Sequence, residues 1–331
     1  MSRSLRLVIV SDIHYAGPQE RERAGRIAGD QTRSWQRALV RGYRKFFWLD
    51  DPFEHNGLLD RFLSAAGEPD WVVANGDYAC DSAYLGMMDD AAFESASLSV
   101  GQLRTRFGDR LRLVPGDHEI GKRSLTGNYG GLRLASLDRA VNELGVSPFW
   151  TQTFGPWTLI GVNSTLVAYP VFREESLMDE QPEWESRRRH HLQQIENVFE
   201  SLVHDQRVIL FCHDPSALPF LLALRSVHER LSQIERTVIG HLHSPLIYSK
   251  SRLLAGMPRI DFMGATAKRL SQALREGRCW SQFRTQLCPS LTGIQLLKDG
   301  GFYTAELDLE GRAPLILELH PLEWIPKVVS V

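Results

Sequence analysis

Leu5-Arg6-Leu7-Val8-Ile9-Val10-Ser11-Asp12-Ile13-His14 is the stretch whose reading decides the fold. A run this short, rich in Val, Ile and Leu, reads as a buried strand better than as a helix. It ends in side chains able to bind metal or phosphate. Five later runs repeat the pattern. Trp71 to Ala74 leads into Asn75-Gly76-Asp77, and Leu111 to Val114 into Pro115-Gly116-Asp117-His118-Glu119. Leu159 to Val162 leads into Asn163-Ser164, Val208 to Phe211 into Cys212-His213-Asp214-Pro215, and Thr237 to Ile239 into Gly240-His241-Leu242-His243. In open α/β sheets, ligands bind beyond the carboxyl ends of the strands, so polar residues at those ends are expected to face one crevice.

Helix-like stretches separate the runs: Leu58 to Ala66, Met88 to Phe107, Leu132 to Leu144, Arg187 to Leu202 and Leu218 to Leu231. Strands alternating with helices predict an α/β chain with a largely parallel sheet. After Pro258 the texture changes to glycine-punctuated β-like runs, Gly293 to Leu297 and Phe302 to Leu309. These predict antiparallel strands closing a second sheet. The 331 residues are read as a single domain, 1–331, with an insertion or cap segment over 16–56 and a β-rich closing segment over 258–331.

Lys plus Arg total 38 against 40 for Asp plus Glu, so no global positive field draws in nucleic acid or acidic membranes. The four cysteines, Cys80, Cys212, Cys279 and Cys288, lack Cys-x-x-Cys spacing and are too few for a disulfide framework, which fits a reducing compartment. The first apolar run is too brief for a signal sequence and no run reaches transmembrane length, so the expected location is the cytoplasm.

A divalent ion held for hydrolysis needs carboxylate oxygens and imidazole nitrogens, with room left for water and substrate. Asp12 and His14, separated by one residue in a strand-end turn, can point at one ion, and His241 and His243 repeat that spacing. Asp77 follows a glycine that permits a tight turn, and its two oxygens could bridge two ions. Bridged metals about 3.5 to 4 Å apart clamp an in-line displacement. Each piece alone has an ordinary structural explanation: Asp and His are common at turns, Gly-Asp turns are frequent, and a lone His213 would pass for a core histidine. It is their joint occurrence at successive strand ends that points to a metal centre.

These blocks resemble the calcineurin-like metallophosphoesterase superfamily, whose ordered motifs are D-x-H, G-D, G-N-H-(E/D), H and G-H-x-H. The likeness spans roughly Leu5 to Pro245. It implies a four-layer α/β/β/α sandwich, here with an N-terminal helical insertion, and two divalent ions (Mn, Fe or Zn) as cofactors. By position it implies that Asp12, His14 and His243 hold one ion, that Asp117, His213 and His241 hold the other, and that Asp77 bridges them. His118 would sit beside the leaving oxygen, and the nucleophile would be metal-bound hydroxide. The run Gly300-Gly301-Phe302 also looks like the family's closing β segment.

Two departures stand out. Asp117 occupies the place of the family's usual Asn, which would tighten metal binding while reducing the positive charge that polarises phosphate; alternatively, Asp117 bonds neighbouring backbone. The run Gly76-Asp77-Tyr78-Ala79-Cys80-Asp81-Ser82 lacks the arginine and spacing of the Ser/Thr protein phosphatases, which speaks against that activity. Asp81 would either orient His118 or serve a plain turn.

Within 16–56, Trp35, Leu39, Tyr43 and Phe47 recur every four residues among Arg33, Arg37, Arg41, Arg44 and Lys45, predicting an amphipathic helix with a basic side. Through 33–48 it could lie on a membrane surface or cap a lipid phosphoester, or simply pack on the domain. Lys122, Arg123, Asn128 and Tyr129, close behind His118, are the substrate-binding candidates. The function expected is that of a phosphodiesterase or pyrophosphatase acting on a small molecule or lipid, with a phosphomonoesterase as the alternative. A nuclease would need an extended basic track, and an interaction scaffold would need a decayed metal site.

Overall fold

The architecture follows from alternation along buried strands. In the computed structural model of the chain, which describes residues 4–27, 42, 49, 51–80, 83–123, 129–258 and 274–324, ten strands form two five-stranded sheets. The strands are β1 Ser4–Val10, β2 Trp71–Ala74, β3 Leu111–Leu113, β4 Phe149–Phe154, β5 Trp157–Val162, β6 Arg207–Cys212, β7 Ile234–Ile239, β8 Thr285–Leu287, β9 Gly301–Asp308 and β10 Glu318–Pro321. The first sheet runs β10-β9-β1-β2-β3 and the second β4-β5-β6-β7-β8.

Successive side chains of a strand point to opposite faces, and here both faces are covered. Val8 and Val10 of β1, with Val72 and Ala74 of β2, face a core that includes Leu58, Leu59 and Phe62 of the helix Gly57–Ala65 and Ala96, Val100 and Leu103 of the helix Asp90–Phe107. Leu7, Ile9 and Val73 turn the other way and meet Trp157 and Leu159 of β5 and Ile209 and Phe211 of β6. Beyond them, Ile160, Val162, Val208 and Leu210 pack with Trp184, Ile195 and Phe199 of the helix Gln181–Ser201. Helix, sheet, sheet and helix thus stack around three apolar cores. This is the α/β/β/α sandwich, and burial on both faces is why Leu7 to Val10, Val72 to Ala74 and Val208 to Phe211 read as unbroken apolar runs. Each fully buried large apolar side chain contributes about 1.5–3 kcal/mol, so these cores hold the framework against which the polar strand ends are set.

The helices begin and end where their sequences dictate. The Asp89 side chain accepts from Ala91 N and Ala92 N at the start of Asp90–Phe107, and Gly108, at φ 56°, ends that helix. Such helices connect parallel neighbours: β1 pairs with β2, β2 with β3, β5 with β6, β6 with β7 and β7 with β8, all in parallel. Their carboxyl ends therefore share an edge.

All six expected strand runs are strands. Three expectations are corrected. The antiparallel C-terminal strand β9 does not close a second sheet; it pairs with β1 in the first, Leu7 opposite Ala305 and Ile9 opposite Tyr303, and β10 lines up beside it. Gly293 to Leu297 is turn rather than strand, with Gly293 at φ 66°. Leu218 to Leu231 is not one helix but the short helices Leu218–Leu222 and Arg225–Glu229, because Leu224 between them is extended (ψ 124°). The strand β4, not singled out from sequence, pairs antiparallel with β5 at the sheet edge. Within the N-terminal insertion the described pieces include the helix Pro18–Ile27 and the turn Pro52–Glu54; the amphipathic helix expected over 33–48 lies outside the described residues. No helix among the described residues is long and apolar enough to cross a membrane.

Candidate metal centre

The chain turns sharply as it leaves β1, β2 and β7. Asp12 (φ 51°), His14 (φ 48°), Asp77 (φ 58°), His241 (φ 61°) and His243 (φ 59°) all adopt the left-handed conformation. Only two other residues besides glycine do so among the described residues, Arg284 and Lys298. The conformation costs an L-residue about 1–2 kcal/mol, and such strain gathers where surrounding structure over-determines it, at sites of function. The i, i+2 pairs are therefore brought together by paired left-handed residues, not by strand alternation. Main-chain bonds lock the turns: Asp12 N–H donates to Gly76 O, His14 N–H to Asp77 O and Tyr15 N–H to Tyr78 O, each at 3.0 Å. Gly76 itself sits at φ 94°, and a Cβ there would stand 2.6 Å from His213 Nδ1.

Two groups of side chains result, in each of which one oxygen or nitrogen per residue lies within 4.8 Å of the others: Asp12, His14, Asp77 and His243, and Asp77, Asp117, His213 and His241. In the first, His243 Nε2 lies 3.2 Å and His14 Nε2 3.8 Å from Asp12 Oδ1, and the two imidazole nitrogens face each other at 3.3 Å. In the second, His213 Nε2 lies 3.2 Å from Asp77 Oδ2 and 3.6 Å from Asp117 Oδ1, and His241 Nδ1 lies 3.1 Å from Asp117 Oδ1. Asp77 belongs to both groups. Its Oδ1 accepts from His118 N–H at 3.1 Å, so Oδ2 is the oxygen that faces both sets of nitrogens, 4.0 Å from His14 Nε2 and 3.2 Å from His213 Nε2.

These residues fit divalent ions. Asp77 Oδ2 and His213 Nε2 are buried with no hydrogen-bond partner among the described residues, and an unmet polar pair of this kind is costly unless something fills it. Two imidazole nitrogens at 3.3 Å must likewise share a proton or a cation. The donor set, carboxylate oxygen with imidazole nitrogen, suits Mn, Fe or Zn.

The charges are mutually adjusted. Burial and neighbouring Asp117 push the Asp77 carboxyl up, but His118 and His213 outweigh them and hold it at about 2. Burial pulls His241 down, and Asp214 and Asp117 override it, raising His241 to about 9. Burial brings His118 down to about 4. Its Nδ1 lies 2.7 Å from Cys80 O and 3.0 Å from Ala79 O, so the ring proton sits there, and Nε2 faces Asp77 Oδ2 at 3.7 Å. Those carbonyls orient the ring; Asp81, which the sequence offers either as an orienting residue for His118 or as a plain turn residue, lies outside the described residues.

Of the substrate-binding candidates, Lys122 touches His118 Nε2 with its ammonium group. Arg123 is turned toward the acidic segment Glu174-Glu175: its main-chain N–H donates to Glu175 Oε2 at 3.2 Å and its guanidinium to Glu174 O at 3.3 Å. Tyr129 is exposed and meets Tyr84 edge to face, ring centres 5.9 Å apart. Asn128 lies outside the described residues.

Three contributors were not identified from the sequence as part of the site. Ser11 Oγ donates to Asp12 Oδ2 at 2.5 Å, and Asp214 approaches His241. Glu119, buried, accepts from Gly116 N–H at 2.8 Å, Tyr78 N–H at 2.8 Å and Asp77 N–H at 3.1 Å, tying together the turns that carry Asp77 and Asp117. All three stand next to a candidate ligand or in its motif, but that adjacency carried no signal of role.

Comparison with solved structures finds likeness to a phosphopantetheinyl hydrolase from Mycobacterium tuberculosis (19% identity, covering 73% of this chain and 84% of that one, TM-score 0.37). A metallophosphoesterase from Sphaerobacter thermophilus is similar over 97% of this chain and 89% of its own, at 12% identity and TM-score 0.37. A purple acid phosphatase from yellow lupin (Lupinus luteus) seeds is similar over 73% of this chain and 38% of its own, at 13% identity and TM-score 0.33. Comparison with curated protein sequences returns no match. The family model of the calcineurin-like phosphoesterases matches residues 5–245. That span begins in β1 and ends just past His243, enclosing both side-chain groups, and the chain accordingly belongs to the calcineurin-like phosphoesterases and is a metal-dependent phosphoesterase.

Proposed function

We propose that the chain hydrolyses a phosphodiester or pyrophosphate-type bond in a small molecule or lipid, with Asp12, His14, Asp77 and His243 holding one divalent ion and Asp77, Asp117, His213 and His241 the other. The observation that carries this reading is the pair of four-residue groups sharing Asp77. Two divalent ions so held would lower the pKa of water and neutralise phosphoryl oxygens. The remaining work falls to side chains around them. His118, held by the carbonyls of Cys80 and Ala79 with its proton on Nδ1, presents Nε2 on the Asp77 side of the centre, where it would stand beside the leaving oxygen. Lys122, touching the same nitrogen, brings a positive charge to meet the phosphate. Tyr129 offers an exposed ring to the ester substituent.

A cysteine-phosphate intermediate finds no support in the chain. All four cysteines are buried, and burial pushes the Cys212 and Cys288 thiols well up. A thiol so placed is a poor source of thiolate.

Protein stripped of metal and reconstituted with Mn²⁺ is expected to cleave bis-p-nitrophenyl phosphate. Absence of cleavage with every divalent ion tried would reject the proposal. A panel of nucleotides, sugar nucleotides and lipid phosphoesters then separates the substrate classes.

A further inference from the structure

His241 has a carboxylate on each side of its ring. Nδ1 lies 3.1 Å from Asp117 Oδ1, within the second metal-binding group, while Nε2, on the opposite edge, lies 4.0 Å from Asp214 Oδ2. An imidazole that gives one nitrogen to a metal keeps its proton on the other. That N–H usually points at a carboxylate, which sets the ring plane and raises the basicity of the ligating nitrogen. We infer that Asp214 is a positioning residue for His241, fixing its ring for the ion held with Asp77, Asp117 and His213; this rests on the metal-binding reading above.

Asp214 is built for a fixed role. It is 8% exposed. Its Oδ1 accepts from Ser216 N–H at 2.8 Å, its own N–H donates to Ser164 Oγ at 3.1 Å, and its carbonyl accepts from the Cys212 thiol at 3.4 Å. With the main chain and Oδ1 committed, Oδ2 is the atom left to face His241. The residue follows His213 directly, so the end of β6 sets two neighbours against the second group from different sides: His213 Nε2 toward Asp77 and Asp117, and Asp214 toward the outer edge of His241. His241 needs such support more than His213 does. Its side chain is 34% exposed, whereas His213 is fully buried with Nδ1 bonded to Asn75 O at 2.5 Å.

The test is Asp214→Asn in the full chain. Asparagine keeps an oxygen for the Ser216 N–H but presents no negative charge to His241. Calorimetric titration of metal-free protein with Mn²⁺ is expected to show one of the two ions bound about 10–100-fold more weakly, the other unchanged, and the same metal-free melting temperature as the wild type. Asp214→Glu should recover part of the lost affinity. Unaltered affinity for both ions in Asp214→Asn would overturn the inference, as would equal weakening of both together with a lower metal-free melting temperature, the mark of a merely structural residue. A wild-type chain taking up fewer than two ions would sink the metal-binding reading itself, and this inference with it.

Discussion

His118 grips Asp77 with its backbone and faces it with its ring: the N–H donates to Asp77 Oδ1 at 3.1 Å, and Nε2 stands 3.7 Å from Asp77 Oδ2. The two contacts are separable. His118→Ala keeps the main-chain bond that orients the shared carboxylate and removes only the imidazole. Turnover should fall by about 10²–10⁴-fold, the usual worth of a positioned acid or base, with metal content by elemental analysis unchanged. A matching loss of metal would make His118 a ligand instead.

Glu119 holds three buried N–H groups on two turns, those of Gly116, Asp77 and Tyr78. In Glu119→Gln one accepting oxygen becomes an amide that cannot accept, leaving a buried donor unmet at a cost of about 1–3 kcal/mol. Urea unfolding of the metal-free variant should show a loss in that range. Metal should also dissociate faster, because the Asp77 turn is one of those released. Wild-type stability would mean that the turns are held by other contacts.

Away from the centre, His191 predicts an acid-sensitive stability. Its Nε2 accepts from Asn163 N–H at 3.1 Å, and burial lowers its pKa from 6.5 to about 4. Above pH 6.5 the ring is neutral whether the chain is folded or unfolded, and its stabilising contacts are intact. As pH falls from 6.5 toward 4 the unfolded chain takes up a proton that the folded chain refuses, so stability drops, by up to about 3 kcal/mol. His191→Gln, which can still accept from Asn163 but does not titrate, should flatten this part of the pH profile of urea unfolding. An unchanged acid slope in the variant would refute the assignment.

What was legible in the sequence and what was not divides along physical lines. The runs Leu5 to Val10 and Trp71 to Ala74 could be read because Leu7 to Val10 and Val72 to Ala74 are buried without a break, so that half-buried Arg6 is the one polar residue among them. Strand β4 was obscured by its edge position: Trp150 enters the core between the sheets, but Thr151 and Thr153 face solvent. Leu218 to Leu231 kept a helical period across a real break because Leu218, Leu221 and Val227 reach the same core from two short helices. In the centre, the seven candidate ligands announced themselves by side-chain type and order. Glu119 and Asp214 did not, since their work is done on the main chain of Asp77, some forty residues away, and on His241, reached only when β6 and β7 pair. The left-handed turns that aim Asp12, His14, His241 and His243 were equally invisible, because nothing in residue identity marks an aspartate or histidine that surrounding bonds hold at positive φ.

Asp117 carries the charge that most distinguishes this centre from a version with asparagine. Its Oδ1 lies 3.1 Å from His241 Nδ1 and 3.6 Å from His213 Nε2, so the carboxylate is turned toward the nitrogens with which it would hold an ion and not toward neighbouring backbone. Asp117→Asn keeps an oxygen at that place and removes the charge. Two unit charges about 4 Å apart interact by about 4 kcal/mol at an effective dielectric of about 20. If only a third of that survives solvent and competing groups, ion affinity still falls about tenfold. The same loss leaves more positive charge to polarise phosphate. The variant should therefore need at least about tenfold more Mn²⁺ for half-maximal activity, while its turnover with saturating Mn²⁺ matches or exceeds the wild type. Wild-type Mn²⁺ affinity in Asp117→Asn would show that the carboxylate charge plays no part in holding the ion, and turnover lowered at saturating Mn²⁺ would show that the charge serves the chemistry instead.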